Sequence, residues 1–201
     1  MARPRTVSDD AILAAARSVF LELGPSASTA VIADRVGLSQ AGLFKRFSTK
    51  ADLMVAALAP PSIPPFALLL AAGPDPCRPI QEQLREIARA MALFFKEMVP
   101  CLMVLSASGI SPQQLLTRFD VPPPLLAKLA MIEWIQQAMN AGRLRPGDAD
   151  PIAAAFMGAL HMRSFMCHIS SEPMSDEALS TYADSVVDNL WNGLAPTEQS
   201  Q

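Results

Sequence analysis

Between Ser28 and Lys50, two short stretches of helical periodicity are separated by only Gly37, Leu38 and Ser39, and few folds accept that spacing. The first stretch runs from about Thr29 to Val36 behind Ser28, whose hydroxyl can cap a helix, with Ile32, Ala33 and Val36 apolar. Gly37 closes it, because a left-handed backbone costs glycine little. The second runs from Gln40 to about Phe47. Helices joined by so short a turn must cross closely. Ala33 is small enough for the crossing, and Val36, Leu38 and Leu43 can pin the second helix to the first. The pattern predicts a helix-turn-helix whose second helix shows Gln40, Ala41, Gly42 and Lys45 on its outer side.

The rest of the chain is helical in period as well, and strand alternation is nearly absent. Ile12, Ala15, Ala16, Val19 and Leu23 share one face of a first helix, which Ser8 caps, Asp9 and Asp10 favour at its positive end, and Gly24-Pro25 stops. Ser48 or Thr49 caps a fourth helix reaching about Leu58, with Asp52 at capping-box-like spacing from Thr49. The proline-rich stretch from Pro60 to Pro79 predicts an irregular connector with about two turns of helix around Phe66 to Ala72. Beyond it, Ile80, Leu84, Ile87, Met91, Phe94, Phe95 and Met98 lie on one face of a helix that Pro100 kinks or ends. Further helices are expected over Leu125–Ala141, Pro151–Ile169 and about Asp176–Asn192, the last closed by Gly193. The expected architecture is all-α, with nine or so helices. Residues 1–53 form the head, built on three helices, and residues 54–201 a helical body of five or more, with the fourth helix linking the two.

Hydrophobic residues make up 51% of the chain and charged residues 17%, which excludes disorder for most of it and leaves apolar surface for a subunit interface. The net charge of −3 argues against a protein that coats nucleic acid generally, but the charge is unevenly placed. Residues 1–53 carry seven basic against five acidic side chains, a balance of +2 that leaves −5 for the remainder. A basic head on an acidic body suits a chain that presents one end to DNA, and Arg3 and Arg5 form a basic arm before it. Phe66–Gly73 and Met98–Ile110 are too short for a membrane span of roughly 20 residues, and Asp9 and Asp10 interrupt any signal-like start, so a cytoplasmic location is expected. Cys77, Cys101 and Cys167 form no CxxC pair and read as reduced, mostly buried thiols. His161 and His168 stand seven apart, too far to chelate a metal by themselves, and His161 reads as a pocket anchor or a core histidine. No catalytic constellation or cofactor motif stands out, so neither an enzyme nor a cofactor is expected.

Residues 8–53 resemble the DNA-binding head of the tetracycline-repressor (TetR/AcrR) family. The matching residues are Ile12-Leu13-Ala14-Ala15-Ala16, Val19-Phe20, Gly24, Ser28, Ile32-Ala33, Gly37-Leu38-Ser39 and the run from Leu43 to Leu53. In the body, Met98-Val99-Pro100 and the connector from Ala141-Gly142-Arg143-Leu144 to Asp150-Pro151 are similar too. Phe44 stands where the family usually has tyrosine, and Arg46 where it has histidine or tyrosine, an exchange that would restore a phosphate contact. The resemblance implies a transcription repressor released from its operator by a small apolar effector. It implies DNA contacts from Ser28, Thr29, Gln40, Gly42, Leu43, Phe44, Lys45, Arg46 and Lys50. It also implies a ligand pocket in the body, for which Met91, Phe94, Phe95, Met98, Met131, Trp134, Met157, His161 and Phe165 are candidates. The last two helices would build a homodimer interface, with Leu179, Tyr182, Ala183, Val186, Val187, Leu190 and Trp191 as candidates. The alternative is a small-molecule carrier or enzyme whose helix-turn-helix head is vestigial.

Overall fold

The computed structural model describes residues 7–117, 119–172 and 174–192. Among these residues it is all-helical, with α1 Asp9–Leu23, α2 Thr29–Arg35, α3 Gln40–Phe44, α4 Lys50–Leu58, α5 Ala67–Ala71, α6 Ile80–Ala107, α7 Pro112–Leu116, α8 Pro123–Asn140, α9 Ala149–Ile169 and α10 Asp176–Asn192. The basic arm at Arg3 and Arg5, and Gly193, lie outside the described residues.

Local chemistry explains most helix ends. The hydroxyl of Ser8 accepts the Ala11 N–H at 3.2 Å and starts α1, while Gly24, at φ +75°, ends it. Thr49, not Ser48, caps α4: its Oγ1 accepts the Asp52 N–H at 3.0 Å and donates to the Asp52 carboxylate at 2.8 Å. At α7, which periodicity does not mark, Ser111 and Gln114 bond each other's backbone N–H in a capping box. Five residues are too few for a periodic signal.

The chain forms two compact units. The first contains the residues up to Pro60 together with Pro100–Asp120, and the second the residues of Pro61–Val99 and those from Val121 onward. Helix α6 continues through Pro100 instead of ending there, supplying its earlier part to the second unit and its later part to the first. In the first unit Ile12, Ala16, Val19, Phe20, Ile32, Leu43, Leu53 and Leu58 are all fully buried. In the second unit Phe66, Met91, Met131, Trp134, Ile135, Phe156 and Leu160 form one core with α10 residues Leu179, Ala183 and Val187. Phe66, from the proline-rich connector, belongs to this core and meets Phe94 edge-on at 5.4 Å.

Along the flank of that core, α6 and α10 run past each other with a row of ion pairs. Arg85 bonds Asp188 at 2.6 Å, Arg89 bonds Asp184, and Lys96 bonds Asp176 at 2.6 Å. The spacing falls four residues at a time on α6 and on α10 for the first two pairs, which keeps them on one helical face.

Two expectations need correction. Cys77 is exposed, because it sits in the connector before α6, whereas Cys101 is buried and Cys167 half-buried. Helices α6 and α9 are long and apolar enough to cross a membrane by length and composition, although no such span is expected from the sequence. For α6 the cause is its continuation through Pro100, which joins two shorter apolar runs. For α9 the cause is apolarity all round: Ala153, Phe156 and Leu160 point into the core, while Met162, Met166 and Ile169 stay roughly half-exposed outside.

Candidate nucleic-acid interface

The interface is built from α2, the turn after it, α3, and the start of α4. Ser28 Oγ accepts the Ala30 N–H at 3.2 Å and caps α2. At the other end the Leu38 N–H reaches the Ala33 carbonyl at 2.9 Å and the Gly37 N–H reaches the Asp34 carbonyl at 3.1 Å. This paired closure needs a left-handed residue between them, and Gly37 supplies it at φ +70°. Ser39 then starts α3 by accepting the Gly42 N–H at 3.1 Å. A side chain on residue 42 would press on that capping hydroxyl, 3.3 Å from where its Cβ would stand, so glycine keeps the short helix closed.

Helix α3 is pinned by a single deep anchor. Leu43 is fully buried, whereas Gln40, Ala41, Phe44 and Lys45 are exposed and Gly42 partly so. The outward side is thus small at Ala41 and Gly42, polar at Gln40 and cationic at Lys45, a surface that can approach base edges in a major groove. Lys50, first residue of α4, stands where that helix's unpaired N–H groups also favour an anion. The expected contact residues therefore divide. Ser28, Gln40, Gly42, Phe44, Lys45 and Lys50 reach the surface at least in part.

Leu43 and Thr29 do not offer what the resemblance implied, and Arg46 has a partner within the chain. Leu43 has no surface left for DNA because it fills the core between the helices. Thr29 is buried, and its hydroxyl accepts the Gln40 Nε2–H at 2.8 Å, so it holds a candidate base reader instead of acting as one. Arg46 turns back to the start of α1, pairing with Asp9 at 3.0 Å and donating to the Val7 carbonyl. Its charge is already matched by a carboxylate. Both partnerships link residues distant in sequence, which local patterning does not register. Arg35 is likewise engaged, with Glu22 at 3.2 Å and Ser18 at 3.1 Å.

In the second unit the candidate pocket residues are mostly spent on packing. Met91, Met98, Met131 and Trp134 are buried in the core, Phe94 and Phe95 pack against it, and His161 meets the Phe95 ring edge-on at 5.3 Å. Met157 and Phe165 are half-buried. A cavity of about 450 Å³ instead opens among Leu84, Ile135, Met139, Arg143, Leu144, Arg145, Ile152, Phe156, Val187, Leu190 and Trp191. Of the candidate interface residues, Leu179, Ala183, Val186 and Val187 are buried within their own protomer, and Tyr182 donates to the Ala159 carbonyl at 3.4 Å. Leu190 and Trp191 line the cavity while remaining 41% and 44% exposed. The outer side of α9 exposes Ala155, Gly158, Met162, Met166 and Ile169.

Residues 12–57 match the bacterial regulatory proteins of the tetR family, and residues 82–191 match the C-terminal domain of AefR-like transcriptional repressors. The chain belongs to the TetR family. It is accordingly a DNA-binding transcriptional regulator with a helix-turn-helix head and a helical body. Solved structures of TetR-family regulators share its fold. The regulator PfmR of Thermus thermophilus is 23% identical, with a TM-score of 0.62 over 92% of this chain and 99% of its own. FadR of Bacillus subtilis, solved in complex with stearoyl-CoA, is 14% identical with a TM-score of 0.68 over 94% of this chain and 100% of its own. SmeT, repressor of the SmeDEF multidrug efflux pump of Stenotrophomonas maltophilia, is 18% identical with a TM-score of 0.66 over 93% and 90%. No curated protein matches the chain.

Proposed function

We propose that this TetR-family regulator is a cytoplasmic, non-enzymatic repressor that binds a near-palindromic operator as a homodimer and is released by a small apolar effector held in its body. The observation that carries the reading is the exposed outer side of α3, flanked by Lys45 and Lys50 and held rigidly by Leu43 beneath it. Residues 1–53 act as the reader, and residues 54–201 sense and dimerise. The repressor-type C-terminal match supports the sign of regulation, and FadR, solved with an acyl-CoA, supports an apolar effector.

Two copies related by a two-fold axis set their α3 helices roughly 34–36 Å apart, one turn of DNA. The second copy seats on α9, where Met162, Met166 and Ile169 present an apolar stripe four and then three residues apart, with Ala155 and Gly158 allowing close approach. A partner protein there accounts for an otherwise costly exposed apolar face. Effector binding then needs to shift the spacing of the two α3 helices by a coupling of only about 1–3 kcal/mol.

A gel shift with the duplex upstream of the protein's own gene tests the reading. Retardation that falls steeply with salt, and that Gln40→Ala redirects among operator variants, is the expected result. Equal and weak binding to every duplex overturns it.

A further inference from the structure

We infer that the cavity in the second unit is a binding site for an amphipathic anion, a hydrocarbon chain ending in a carboxylate or similar acid. This inference rests on the effector reading above and narrows its chemistry. The cavity's volume of about 450 Å³ falls within the range of small-molecule sites, roughly 300–1,000 Å³. Leu84, Ile135, Phe156 and Val187 wall it with aliphatic and aromatic surface from four different helices. Such a wall favours a chain with no polar atoms along its length.

The cations decide the other end. Arg143 and Arg145, both in the α8–α9 connector, line the same cavity. Arg143 is fixed by donating to two backbone carbonyls, Asp75 O at 2.6 Å and Arg78 O, which hold its guanidinium without neutralising its charge. Arg145 is exposed and has no ion pair among the described residues. Of the nearby carboxylates, Asp148 accepts the Asp150 N–H at the start of α9, Asp150 pairs with Lys128 and Asp188 pairs with Arg85. Lining residues lie near the first turns of α6 and α9 and the last turns of α8 and α10, so the helix dipoles largely offset one another. The arginines therefore set the sign. Two guanidinium-bearing residues in the lining of an apolar cavity match a carboxylate far better than a neutral or cationic head group.

The test uses the full chain and decanoate, with decanol as its neutral counterpart, by titration calorimetry in the absence of DNA. Decanoate should saturate one site per protomer, octanoate should bind roughly fifteenfold more weakly for its two missing methylenes, and Arg145→Glu should weaken decanoate at least tenfold while leaving decanol unchanged. Decanoate should also alter tryptophan emission, and Trp191→Phe should remove most of that change, because Trp191 lines the cavity whereas Trp134 is buried in the core and is not among the lining residues. Absent binding, an affinity indifferent to Arg145→Glu, or an emission change undiminished by Trp191→Phe overturns the site. The operator gel shift separates the two ideas. Decanoate that binds with this arginine dependence yet leaves the gel shift unaltered upholds the site and contradicts its role as effector. Decanoate that fails to bind removes the site and leaves DNA binding by α3 untouched.

Discussion

The side-chain amide of Gln40, first residue of α3, donates to the hydroxyl of Thr29, first residue of α2, across 2.8 Å. The contact is part-buried and fixes the side chain at the point where α3 leaves the turn. With one Nε2–H engaged, Oε1 and the second Nε2–H are left, and Oε1 can accept from an adenine or cytosine amino group. Thr29→Val keeps the shape and removes the acceptor. Discrimination between the preferred operator and single-base variants should fall about tenfold, while affinity for unrelated DNA stays unchanged. Competition anisotropy with operator variants checks this, and undiminished discrimination would show that the bond does not orient Gln40.

Leu43 and Phe44 are neighbours with opposite fates, one fully buried and the other 36% exposed. Leu43→Ala should cost about 2–5 kcal/mol in urea unfolding, whereas Phe44→Ala should change stability by no more than about 0.5 kcal/mol. Equal losses would mean that α3 is not anchored through Leu43.

The ion-pair row between α6 and α10 carries a pH signature. The Arg85 guanidinium, bonded to the carboxylate, holds Asp188 below the ordinary carboxylate range, and Gln81 Nε2 adds a bond at 2.9 Å. A lowered folded pKa contributes stability that is present above the unfolded value and lost as pH falls through the folded one. The melting temperature should therefore decline on acidification below the usual aspartate range of about 4, and Asp188→Asn should flatten part of that decline. Arg89, raised by its hydrogen bond to Asp184, stays charged at every working pH and adds no slope there. Thermal melts of both proteins across that range, giving parallel curves, would contradict the assignment.

Met162 and Met166, one turn apart on the outer face of α9, test where the second copy sits. Met162→Asp with Met166→Asp should leave helicity intact but yield monomers by sedimentation at micromolar concentration, since two carboxylates would be buried without partners. An unaltered dimer would place the interface elsewhere.

What the sequence revealed and what it hid follow from the range of the interactions. Ser8, Ser28, Thr49, Gly24 and Gly37 act within their own turn of chain, so the ends of α1, α2 and α4 are readable directly. The commitment of Arg46 to Asp9, 37 residues away, and of Thr29 to Gln40 depends on how helices cross, and no local pattern records it. The same holds for α10. Its stripe through Leu179, Ala183 and Val187 is real, but periodicity cannot say whether an apolar face meets its own protomer or a second one. The cavity is hidden for a further reason: its residues come from four helices and a connector, and a void is a property of their packing.

The Lys50 ammonium is expected to meet a phosphate rather than a base. Lys50→Ala should weaken binding to all duplexes alike and lower the salt slope by about 0.9 for each phosphate no longer neutralised. An unchanged slope would remove it from the interface.

The central claim is that α3 enters duplex DNA and reads it. Fluorescence anisotropy at physiological salt, comparing the duplex upstream of the protein's own gene with a scrambled duplex of the same composition, addresses it most directly. Binding to the upstream duplex should be at least about 10³-fold tighter, with the preference reduced by Gln40→Ala. Equal affinity for the two duplexes, in a protein shown to be folded and dimeric, would contradict it.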